Sequence, residues 1–139
     1  MSGLPEALAA EHAAIFGYGV VGSHLEKGER TAAAQAEAAH RARRDAAMLR
    51  ITAANATPPP AAAAYELPFP VGNRDSAVKL ALALEEGTAR AWHQALATTT
   101  GADRKLALDA LTDCAVRATR WRRLAGESPV TVAFPGASA

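Results

Sequence analysis

Cysteine is nearly missing from this chain, with one residue, Cys114, in 139. A single thiol forms no internal disulfide and supplies only a quarter of a thiolate zinc site, which suits a reducing compartment. A surplus of either charge is missing too: fifteen Lys and Arg stand against fourteen Asp and Glu, for a formal charge of +1. No overall field therefore draws the molecule toward nucleic acid or an anionic membrane. No stretch approaches the roughly eighteen consecutive apolar residues of a membrane span. The opening MSGLPEALAAEH has no charged leader ahead of an apolar segment. These absences predict a cytoplasmic chain with no membrane contact. What is present is apolar side chain, 50% of the residues, enough at this length for one domain over residues 1–139 with a single core.

The apolar residues recur at helical spacing. Pro5 fits a first helical turn, where its missing N–H is not needed, and Leu8, Glu11, Ile15, Tyr18, Gly22 and Leu25 follow on one seam. Gly28 is the expected stop. A second helix is expected from about Arg30 to Ala54, rich in alanine and weak in periodicity, with Met48, Leu49 and Ile51 at its far end. A third starts near Asp75 or Ser76 and carries Val78, Leu82, Glu85, Ala89, Trp92 and Leu96 in one row, with Gly101 as its stop. The fourth begins near Asp103 and aligns Leu111, Cys114, Ala118 and Trp121.

Short loops pair helices one with two, and three with four, as antiparallel hairpins. Between the pairs, at about residues 55–74, lies TPPPAAAAYELPFPVGNR, whose five prolines forbid a continuous helix. Extended chain of that length spans a bundle from end to end. Tyr65, Leu67, Phe69 and Val71 are apolar enough to predict that it lies against the helices. A tail from about residue 127 to 139, containing VTVAFPG, closes the chain. The expectation is all-α: a ferritin-like four-helix bundle of two antiparallel hairpins joined by a long proline-rich crossover.

Ferritin-like metal centres take a Glu from each of two helices and a Glu-x-x-His from each of the other two. Glu37 and His40 have that spacing, roughly 60° apart around a helix and one turn apart along it. Glu11 lies on the seam of helix one, and Glu85 lies on the apolar row of helix three, whereas Glu86 falls on the polar side. On helix four the acid is Asp113, but Val116 stands where the second imidazole would be. Arg44 follows His40 by four residues and Arg117 follows Asp113 by four, so a guanidinium sits one turn from each cluster. Arginine grips carboxylates with paired hydrogen bonds and never loses its charge.

The stretches AEHAAIFGYGVVG, AHRARRDA, AAAAYELPFPV, ALTDCAVRATRWRR and VAFPG together resemble a small actinobacterial ferritin-like family of unknown function. The resemblance touches every helix, the crossover and the tail. It implies the fold, and it places Glu11, Glu37, His40, Glu85 and Asp113 at ligand-bearing positions, with Val116 departing from the pattern.

Three functional readings follow. The favoured one is a non-catalytic domain with an interhelical polar network of Glu11, Glu37, His40, Arg44, Glu85, Asp113 and Arg117, derived from a carboxylate metal site and holding no cofactor. A second reading is a metal-binding protein or carboxylate-bridged oxidoreductase, with iron or manganese on Glu11, Glu37, His40 and Glu85. The third is nucleic-acid or protein binding through HRARRD and RATRWRR, where Trp121 stands among arginines. Nucleic acid is disfavoured because Trp121 lies on the row of Leu111 and Cys114. GYGVVG, from Gly17 to Gly22, has the letters of a dinucleotide loop but no preceding strand, so its glycines are read as permitting close helix packing. A homodimer is compatible with these features.

Overall fold

A computed structural model describes residues 3–137 and shows an all-α chain, with four helices and no strand among those residues. Helix α1 spans Leu4–Gly22, α2 Lys27–Ala53, α3 Arg74–Leu96 and α4 Gly101–Ala125. At 1.5 Å per residue these rods are about 30 to 40 Å long. Helix α1 packs on both α2 and α3, and α3 packs most extensively on α4.

Two of the expected glycine stops lie inside helices. Gly28 is the second residue of α2, and α1 has already ended at Gly22. The break comes at Glu26, whose extended backbone (φ −84°, ψ 171°) caps α2. Gly101, expected to stop α3, instead opens α4 with φ +57°, a backbone angle that favours glycine. The start of α3 also shifts. Its cap is Asn73, whose side chain accepts a bond from the Ser76 backbone N–H at 2.9 Å while the Ser76 hydroxyl reaches back to the Asn73 N–H. Ser76 thus completes a reciprocal capping box from the third helical position.

The apolar interior falls into two clusters. One gathers Tyr18 and Val21 late in α1, Leu25 just after it, Ala33 and Ala36 early in α2, Ala77, Val78, Leu80, Ala81 and Leu82 early in α3, and Ala118 and Trp121 late in α4. The other gathers Leu4, Ala7 and Leu8, Ala47 and Ile51, Ala89, Trp92 and Ala95, and Ala107, Ala110 and Cys114, which are the opposite ends of the same helices. Residues 54–73 run from the second cluster's end of α2 to the first cluster's end of α3. Along this segment Leu67, Phe69 and Val71 pack against the first cluster, Tyr65 meets the Phe16 ring at 5.6 Å, and the Pro59 carbonyl lies 3.1 Å from His12 Nε2. Where each helix passes from one cluster to the other it carries a polar residue: Glu11, His40, Glu85 and Arg117. The site lies there.

Candidate functional site

Residues seven apart on a helix return to nearly the same face about 10 Å further along. Helix α1 uses that interval for Glu11 and Tyr18, and α3 uses it for Glu85 and Trp92. The two helices run oppositely here, so the pairs answer each other. Trp92 Nε1 donates to Glu11 Oε1 at 2.8 Å, and the Tyr18 hydroxyl donates to Glu85 Oε2. Each buried acid thus meets an aromatic polar tip from the facing helix.

His40 of α2 spans the gap between the two acids. Its Nδ1 lies 2.5 Å from Glu11 Oε2 and its Nε2 lies 2.8 Å from Glu85 Oε2, with the ring stacked on Tyr18 at 5.5 Å. Glu11 and Glu85 are 0% exposed and His40 2%. Two carboxylates that close, out of water, repel strongly unless positive charge lies between them. Burial disfavours a charged imidazole, but hydrogen bonds to Glu11 and Glu85, together with their charges, outweigh it and push the His40 pKa up to about 9. The ring is therefore an imidazolium at neutral pH, with each N–H donating to one acid.

Helix α4 closes the network. Arg117 Nη1 donates to Glu85 Oε1 at 3.2 Å and Nη2 donates to Asp113 Oδ2 at 2.7 Å. Burial opposes this charge as well, and Glu85 and Asp113 more than restore it, so the guanidinium is held more firmly charged than usual. Arg43 approaches Asp113 at 3.8 Å from α2. At the other edge, Trp121 Nε1 donates to the Tyr18 oxygen at 2.9 Å. Burial, then the charge of Glu85 and the hydrogen bond to it, hold the Tyr18 hydroxyl protonated well above its ordinary range. Cys114 lies 3.2 Å from the Thr88 hydroxyl. Burial, followed by the charges of Glu85 and Glu11, pushes its thiol pKa up, so it supplies neither nucleophile nor thiolate ligand.

Of the seven residues expected in the network, the structure brings together Glu11, His40, Glu85, Asp113 and Arg117. Glu37 and Arg44 stand apart. Glu37 is 28% exposed at its side chain and pairs with Arg41 one turn on, at 2.8 Å, while Arg44 pairs with its neighbour Asp45 at 2.9 Å. The buried row of α2 is Ala33, Ala36, His40, Ala47 and Ile51, and Glu37 lies about 100° from Ala36 around the helix. Alanine on nearly every side of α2 left that rotation open. Val116 is exposed and Glu86 bonds Arg122 at 3.3 Å.

Sequence reasoning placed Trp92, Tyr18 and Trp121 in the core but not their hydrogen bonds to the acids. The signal was present: each inward acid shares a seam with an aromatic two turns away whose polar tip needs a partner when buried.

In this arrangement the buried acids are bonded to donors of the protein itself. Both oxygens of Glu11 and both of Glu85 accept bonds from Trp92, His40, Tyr18 and Arg117. Among the described residues no group of three or more His, Cys, Asp or Glu is arranged to hold a metal ion, and no buried side-chain N or O atom lacks a partner.

Comparisons with known proteins bear on the whole chain. The family model described as Domain of unknown function (DUF4439) matches residues 3–139, and the chain belongs to that family. A crystal structure of a conserved hypothetical protein from Mycobacterium tuberculosis is similar to it, with 42% identity and a TM-score of 0.87 over 96% of this chain and 94% of that one. No curated protein matches.

Proposed function

We propose that this member of the DUF4439 family is a single ferritin-like domain that is not a redox catalyst. In it a proton on His40 and the guanidinium of Arg117 balance inward acids that a carboxylate metal centre would otherwise use. The division of helix ends between the two apolar clusters supports the ferritin-like arrangement. Helices α1 and α2 then form one antiparallel hairpin and α3 and α4 another, and the proline-rich segment 54–73 travels the bundle's length between them. The network's work is to fix register. Bonds between Glu11 and Trp92, Tyr18 and Glu85, and His40 and both acids are all satisfied in one alignment of three helices, which a sliding apolar seam would not specify. The domain then serves as a rigid platform whose outer surfaces bind.

The observation that carries this reading is the imidazole with a carboxylate on each nitrogen. Elemental analysis of protein purified without a histidine tag tests it. Iron and manganese are expected far below one atom per chain, with folding unchanged by chelator. Stoichiometric metal that is lost in both Glu11→Ala and His40→Ala would overturn it.

A further inference from the structure

On the far side of α3 and α4 from the network, the tail arches over a cavity of about 710 Å³. Two anchors hold the arch. Val130 at its start accepts a bond from Arg122 Nη1 at 3.1 Å, and Arg122 also bonds Glu86, tying tail, α4 and α3 together. At its end Gly136, with φ +81°, lies so close to α3 that a β-carbon there would meet the Ala89 carbonyl oxygen at 2.6 Å. Only glycine fits that seat.

Between the anchors, the small side chains of Ala89, Ala115, Ala118 and Thr119 line the helix wall, and Val132 and Phe134 line the arch. The volume falls within the range of small-molecule sites. Phe134 carries a second signal. It is 82% exposed, with φ +54°, a conformation unfavourable for a bulky residue, at the rim of an apolar cavity it does not fill. Burial of that ring requires something apolar beneath it. Charge is supplied at the same rim by Arg90, which has no ion-pair partner among the described residues, whereas Arg122 is already committed to Glu86.

We propose that this cavity binds a single-chain amphiphile with an anionic headgroup, such as a fatty acid. The chain lies along the alanine wall, the carboxylate meets Arg90, and Phe134 closes over the chain.

Calorimetric titration of the full chain with decanoate, below its micelle concentration, tests the assignment, with decanol as the uncharged comparison. Saturable one-to-one binding of decanoate is expected. Arg90→Glu should weaken decanoate about tenfold and leave decanol nearly unchanged, since one charge-assisted hydrogen bond is lost. Ala115→Trp fills the cavity and should abolish binding of both. Should that variant fail to fold, Phe134→Ser, at an exposed position, is expected to weaken both ligands about tenfold. The proposal is overturned by an absence of saturable binding, by binding indifferent to Ala115→Trp in folded protein or to Phe134→Ser, or by decanoate binding indifferent to Arg90→Glu. Retention on phosphatidylglycerol vesicles without decanoate binding would likewise overturn it, by assigning the surface to membrane lipid.

Discussion

At the scale of single residues, His40 is the cation on which the interior depends. Removing one partner from a buried charge cluster leaves the remainder uncompensated, at a cost of about 3–5 kcal/mol. His40→Ala is therefore expected to lose stability of that order in urea denaturation. Glu37→Ala, which removes only a partly exposed pair with Arg41, should change stability by less than about 0.5 kcal/mol. The raised pKa of His40 gives a pH dependence with a definite sign. Its folded value of about 9 lies above the ordinary 6.5, so the proton is bound more tightly in the folded state. The stabilisation is complete below pH 6.5, declines as pH rises, and is gone once pH passes about 9. Urea midpoints between pH 6 and 10 should show a loss of order 3 kcal/mol in the wild type that is absent from His40→Ala. The same scale shows which site residues were legible. Glu11 and Glu85 announced themselves as acids embedded in apolar rows. Glu37 misled because its neighbours are alanines, which mark neither face of α2.

At the scale of the element, helix interiors were readable and helix ends less so. Apolar residues at three and four spacing report which face packs, whereas a glycine reports only that the chain is free to turn. Gly28 sits in open space inside α2, and Gly101 turns at the beginning of a helix. Two glycines of α1 separate the cases. A β-carbon on Gly17 would meet the Leu84 side chain at 2.6 Å, while one on Gly19 meets nothing within 4 Å. Gly19→Ala should stabilise by up to about 1 kcal/mol through helix propensity. Gly17→Ala should forfeit that gain by displacing Leu84, so the two thermal midpoints should move apart. At the start of α3, Asn73→Ala removes the capping acceptor and should cost about 1 kcal/mol.

At the scale of the whole molecule, the arginine-rich helices are largely spent on the protein itself. Arg41 bonds Glu37, Arg44 bonds Asp45, Arg117 bonds Glu85 and Asp113, and Arg122 bonds Glu86 and Val130. Trp121 is 2% exposed with its N–H given to Tyr18, so no base can stack on it. With a net charge of +1, the chain should pass through immobilised DNA at moderate salt without retention. No described helix is long and apolar enough to cross a membrane. The polar layer between two apolar clusters is a property of all four helices together. One chain read in sequence lists its members but cannot show which oxygen meets which nitrogen, because those pairings depend on the relative rotation of the helices.

The protonation of the His40 ring tests the central claim most directly. Nitrogen-15 NMR of the folded protein at pH 7.5 should find both ring nitrogens protonated, with the signal titrating only near pH 9. A neutral ring at pH 7.5, or a titration at or below 6.5, would contradict a proton-balanced interior.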